Sequence, residues 1–457
     1  MKRKRAPVAL SAAALGAALV AASALAAPAP RASAQAAGAP TVTYAVHKGD
    51  TLWALSRRWF PGAPALAIVQ RRNHIANPRR VLDGKTLIIP RAVLSDVQSF
   101  ARIESVSGEV MVQPAGTAFP ARAGAVLGEG TLIRTGRSGF IALRLADDSV
   151  VSLPSQSAVR IVRLRKVLMT GAVERAFAVE SGRLRAAVTP MPDPGSTFEV
   201  RTPITVSAVR GTEFRVGYDE AAARAVTEVE GGKVSFAGAA TADGPARTVL
   251  ITPGQGAISG AAGPAGLTPL LAAPRLIDPD APQTASELHF TAEPLAGAAG
   301  YRVQISRDAG LLDLVSEQEG VGPAFTLPDL ATGTWFVRVT ALDSSGLEGL
   351  PRTYSFDRVR NSVAGAMGAV GSGFERRYQF KWNGAADGTP QYRFQLARKD
   401  DPTHPVVDEP LGTATQLAVT SLPPGEYAWR VLSLVPHGAR VIAAWSGEQT
   451  FEVAAKR

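Results

Sequence analysis

Five histidines, 39 carboxylates and no cysteine limit the chemistry open to this 457-residue chain. Without a thiol it has no cysteine nucleophile, no thiolate metal ligand, no lipoprotein anchor and no disulfide. His47, His74, His289, His404 and His437 are scattered, with no His-x-His or His-Glu-x-x-His spacing that could hold a zinc ion. The Gly-x-Ser-x-Gly and Ser-x-x-Lys patterns of acylating serines are missing. No helical scaffold presents the paired carboxylates of a muramidase. Glycine-rich stretches such as Gly365 to Gly373 do not follow a strand and open a helix, so they are not phosphate loops. No catalytic residue, metal or cofactor is expected, and the chain reads as no enzyme.

The formal charge of +10 is unevenly spread: +5 over 1–40, +7 over 41–94 and −2 over the remainder. No basic stretch is interleaved with aromatics in the manner of single-strand binders, so no nucleic-acid partner is expected. Lys2-Arg3-Lys4-Arg5 followed by an uncharged Ala, Leu and Val run from Ala6 to Ala27 has the pattern of a secretory signal. Small-residue cleavage motifs stand at Ala24-Leu25-Ala26 and Ala32-Ser33-Ala34, giving a signal peptide over 1–26 or to 34 and a linker to 40. No later apolar run is long enough to span a membrane. The expectation is an exported protein, periplasmic or otherwise associated with the cell envelope.

Residues 41–91 read as strand, helix, helix, strand. Tyr44 and Val46 alternate with smaller or polar residues, Asp50 or Thr51 can cap a helix, and Leu52, Leu55 and Trp59 share one helical face. Phe60-Pro61-Gly62 ends that helix, a second carries Leu66, Ile68 and Val69, and Gly84 to Pro90 is a turn, a short strand and a stop. The pattern Tyr44-x-Val46-x-x-Gly49-Asp50-Thr51-Leu52-Trp53-x-Leu55-Ser56, with Asn73 and Gly84-x-x-Leu87-x-Ile89-Pro90, resembles the LysM family. That resemblance implies a βααβ fold binding N-acetylglucosamine-containing glycans, chiefly peptidoglycan, in a shallow groove between two loops. By position it assigns Gly49, Asp50, Thr51 and Leu52 to the first loop, and Asn73, Ile75, Asn77 and Pro78 to the second. Arg71, Arg72, Arg79 and Arg80 flank that groove, a departure from the family that could attract the acidic peptide stems of the wall.

Residues 98–260 read as short strands punctuated by Gly and Pro, an all-β roll or sandwich. Leu145-x-Asp147-Asp148-Ser149, Ser181-Gly182-Arg183-Leu184, Phe198-x-Val200-x-Thr202-Pro203 and Val209-Arg210-Gly211-Thr212-Glu213-Phe214 are similar to the FecR family. Arg210 is expected to be buried and paired with Glu213 or Glu230. The resemblance implies a periplasmic domain for protein contact. With five residues ahead of the apolar run, no contact with a sigma factor is expected.

Tyr301-Arg302-Val303-Gln304-Ile305 matches Tyr392-Arg393-Phe394-Gln395-Leu396, and Gly333-Thr334-Trp335-Phe336-Val337-Arg338-Val339 matches Gly425-Glu426-Tyr427-Ala428-Trp429-Arg430-Val431. These two segments indicate tandem β-sandwiches over 272–358 and 374–454, which resemble fibronectin type III domains. Stretches 261–271 and 359–373 are expected to be linkers. Trp335, Trp382, Tyr427 and Trp429 sit at strand spacing and are expected in the cores rather than on a sugar platform. The whole reads as a mainly β, multidomain, non-catalytic envelope protein that holds peptidoglycan and meets an unidentified protein partner. The alternative is a periplasmic sensor acting through the FecR-like segment on an outer-membrane receptor.

Overall fold

The computed structural model describes residues 40–454 except 81–83, 115, 194, 239–247, 261–262, 371–376 and 439; the expected signal peptide lies outside them. In the N-terminal unit, β1 (Thr41–Ala45) pairs antiparallel with β2 (Thr86–Pro90), Tyr44 opposite Leu87. Helices α1 (Leu52–Trp59) and α2 (Ala63–Arg72) lie between them in the chain. Thr51 caps α1, its Oγ1 accepting from the Ala54 N–H at 3.1 Å. Leu52, Leu55, Val69, Leu87 and Ile89 form the core, which continues into Val93, Leu94, Val167 and Ala172. The unit is therefore docked on the next one. Arg91 pairs with Asp96 and Glu174, and the Ser95 N–H donates to the Trp59 carbonyl at 2.7 Å.

Strands from Ala101–Ser107 to Gly263–Pro269 build a closed roll. Its organising element is the long strand Val173–Ala187. The first part runs antiparallel to Ala158–Val167 and parallel to Thr197–Arg201, and the second antiparallel to Val150–Leu153 and Glu213–Asp219. Gly182 sits at the change of partners with φ +76°, and a Cβ there would stand 2.4 Å from the Gln156 carbonyl oxygen. Only glycine fits. Inside, Phe198 packs against a tilted Phe177 and edge-to-face with Phe214, at centroid spacings of 5.6 and 6.2 Å. At the turn after Leu145, Asp147 accepts from the Ser149 hydroxyl and meets the buried Arg175 at 2.9 Å.

Two β-sandwiches follow. The first sets Leu288–Thr291 and Ala324–Leu327 against a four-stranded sheet. The second sets a three-stranded sheet against one built on Gln391–Arg398 and Gly425–His437. The repeat survives in three dimensions. Trp335 Nε1 donates to the Ala331 carbonyl at 2.9 Å, and the matching Tyr427 hydroxyl donates to the Pro423 carbonyl at 2.8 Å. Trp335, Trp382, Tyr427 and Trp429 are all core residues.

Both expected linkers contain strand instead. Gly263–Pro269 pairs with Gln255–Gly260, and Asn361–Val370 pairs with Arg377–Ala386. A Cβ on Gly365 would lie 2.3 Å from the Trp429 ring. The small residues there make room for an indole, which is why glycine did not mean a loop. At this junction Val359, Val435 and Ile442 pack together, and the Asn361 amide donates to the Ser433 and Ile442 carbonyls.

The roll and the first sandwich are joined through Glu348. Its buried carboxylate meets Arg302 at 2.9 Å, Arg183 at 3.2 Å and Arg215 at 3.5 Å, and accepts from the Thr340 hydroxyl at 2.8 Å. Its N–H donates to Glu228, and its carbonyl accepts from Arg215 at 2.6 Å. The buried arginine that meets Glu230 is thus Arg215, at 3.0 Å. Arg210, expected in that role, is exposed at the end of its strand. Arg215 follows Phe214 on the opposite face of its strand, which is the face that meets the sandwich.

Burial alone would raise the Glu348 pKa, but Arg302, Arg215 and Arg183 outweigh it and hold the carboxylate well below its usual range. A depressed native pKa gives stability present above the unfolded value and lost as pH falls toward the native one. The unfolding temperature of the full chain should be flat near neutrality and decline below about pH 5, where unfolded glutamate begins to protonate. Glu348→Ala removes the buried carboxylate that three guanidinium groups share, leaving Arg215 with Glu230, Arg183 with Glu228 and Arg302 with Glu319, and should cost about 3–5 kcal/mol in denaturant unfolding. A loss below about 1 kcal/mol would show that water replaces the carboxylate without penalty.

Candidate functional site

The expected glycan groove lies where the β1–α1 loop meets the loop after α2. The two are tied by the backbone, the Trp53 N–H donating to the Pro78 carbonyl at 2.8 Å. Gly49 is exposed with φ +95° and nothing near its missing Cβ, so the glycine serves the backbone conformation. Asp50 Oδ2 accepts from the Tyr44 hydroxyl and the His47 N–H, each at 2.9 Å. The His47 N–H and Tyr44 hydroxyl hold its carboxyl below the usual range, against a partial desolvation.

The structure divides the eight assigned residues. Gly49, Asp50, Thr51, Asn77 and Pro78 lie at the surface or half-buried. Leu52 and Ile75 are core residues, so only their backbone could face a ligand. The Asn73 amide is spent on the fold: it donates to the Val69 and Ile88 carbonyls at 2.8 and 2.9 Å and accepts from the Ile88 N–H at 2.7 Å. It pins the end of α2 to β2. Asn77 Oδ1 accepts from the Arg79 N–H at 3.0 Å and shapes the second loop.

Trp53 was not singled out from sequence, yet it is 40% exposed. The Arg57 guanidinium carbon is 5.0 Å from its ring centroid and that of Arg79 is 5.8 Å away. The signal was available, because a tryptophan directly after Leu52 falls off the Leu52, Leu55, Trp59 face.

A second concavity, a cleft of about 1220 Å³, opens between the roll and the first sandwich. Gln156, Arg183 and Tyr218 line it from the roll, and Arg302 and Glu319 from the sandwich. Gln156 holds φ +54°, a conformation rare outside glycine and asparagine. Among the described residues no group of three or more His, Asp or Glu is arranged to hold a metal, and no helix is long and apolar enough to cross a membrane.

A sequence model of the FecR protein family matches residues 131–235, so the roll carries a FecR domain. No curated protein matches the chain. Among solved structures, a candidate anti-sigma factor from Parabacteroides distasonis is 22% identical over 30% of this chain and 59% of its own length, with a TM-score of 0.24. The two-domain fibronectin type III segment of chicken tenascin is 16% identical over 41% of this chain and 99% of its own, TM-score 0.21. Fibronectin(III)-like modules of Clostridium thermocellum CbhA are 11% identical over 40% and 94%, TM-score 0.21. This chain therefore spans about 59% of the length of the anti-sigma structure it matches.

Asn73→Ala removes three hydrogen bonds, two that join the end of α2 to Ile88 of β2 and one to Val69 within α2. It should destabilise the N-terminal unit by about 1–3 kcal/mol, read as faster amide exchange in β2. Unchanged exchange at Ile88 would mean the amide is not what fastens the strand.

Proposed function

We propose that this chain is a binding protein of the cell envelope that performs no chemistry of its own. Its FecR domain receives a protein partner, in the manner of a sensor component. The observation that carries this reading is the FecR match over 131–235, whose residues include Gln156, Ser181 and Arg183 on the wall of the interdomain cleft. Because Glu348 fixes that wall to the sandwich, a partner would meet a preformed surface. The test is photocrosslinking in cells from Tyr218 and Glu220 at the cleft, with Glu199 as a position outside the cleft lining. One discrete protein adduct at the cleft positions and none at Glu199 is expected. Equal labelling at all three, or none at any, overturns the reading.

A second activity is favoured by a separate observation, the tied loops and exposed Trp53 of the N-terminal unit. Together with the LysM-like pattern they support retention on peptidoglycan through N-acetylglucosamine-containing strands. The intact mature chain should pellet with insoluble sacculi, and soluble N-acetylglucosamine oligomers should release it. Failure to pellet, or pelleting that the oligomers leave untouched, counts against glycan recognition.

A further inference from the structure

Arginines in this chain are treated in two ways. In the roll many are paired with carboxylates, as in Arg144 with Glu104, Arg160 with Glu180 and Arg165 with Glu129. In the N-terminal unit, Arg57, Arg58, Arg71, Arg72, Arg79 and Arg80 form no ion pair among the described residues. Two of these converge from different elements on one ring. Arg57 comes from α1 and Arg79 from the loop after α2, and both guanidinium groups stand beside Trp53.

An aromatic ring holds a cation without consuming its hydrogen-bond donors. Arg57 and Arg79 are therefore oriented and desolvated on one side while their N–H groups remain unspent. Planar guanidinium donors presented in this way match carboxylates, which accept them in pairs. The Trp53–Pro78 backbone bond ties together the two elements that carry the pair.

We propose that the N-terminal unit recognises carboxylates borne by its glycan, through Arg57 and Arg79 held beside the indole of Trp53. The ligand is then an acidic glycan rather than a neutral one. This rests on the glycan-binding reading above. Trp53 acts here as the holder of two cations rather than as the surface on which a sugar stacks.

The test is titration of the full chain with three probes: soluble peptidoglycan fragments, the same fragments with their carboxyl groups amidated, and a neutral N-acetylglucosamine oligomer. The unchanged protein should bind the native fragment at least about tenfold more tightly than the amidated one. Arg57→Gln with Arg79→Gln should erase that difference and leave the neutral oligomer unaffected. Both side chains are exposed, so the fold tolerates the change. Equal affinity for native and amidated fragments overturns the carboxylate proposal and leaves glycan binding standing. No affinity for any of the three probes overturns both.

Discussion

The architecture turns on one buried carboxylate. Glu348 belongs to the first sandwich, yet two of its three guanidinium partners, Arg183 and Arg215, come from the roll. Moving such groups out of water costs several kcal/mol for each ion, and their attraction offsets this only when every partner is in place. A small error in domain orientation would leave charges stranded. The interface therefore contributes more to a single geometry than to net stability. Arg338 shows the same pressure: burial, with Arg185 next in effect, pushes its pKa down to about 10.

From that constraint the rest follows along the chain. The roll and the first sandwich are tied beside the cleft by these contacts. At the far end of the first sandwich, Arg358 is fully buried against Asp329 and the Gln283 carbonyl, and Asn361 reaches into the second sandwich. At the other end, Arg91 fastens the N-terminal unit through Asp96 and Glu174. Each junction uses an arginine or asparagine that satisfies backbone or carboxylate groups from both sides. Such contacts set direction, where apolar packing alone would tolerate sliding.

In the N-terminal unit, the residues expected to meet a ligand also support the fold. Asp50 and Asn73 carry the side chains that sequence would first assign to a ligand, and both are engaged in holding loops. Under the proposed glycan-binding reading, what remains for recognition is backbone on the two loops and the cations beside Trp53.

Sequence determined the things that depend on local periodicity and local turns. The βααβ order, the strand-rich middle, the two related sandwiches and the core placement of Trp335, Trp382, Tyr427 and Trp429 were all legible, since alternation and helical spacing report which face is buried. Motif glycines were legible as well, with Gly182 required by a positive φ and a close carbonyl. Tertiary structure alone decided what depends on partners distant in the chain. Arg215 rather than Arg210 is buried because the sandwich covers that face of its strand. Asn361–Val370 is a strand because Trp429 needs the space above Gly365. Trp53 meets Arg57 within its own helix, but gains Arg79 only when the second loop folds against α1. Glu348 lies 133 positions from Arg215, and no local pattern carries information over that distance.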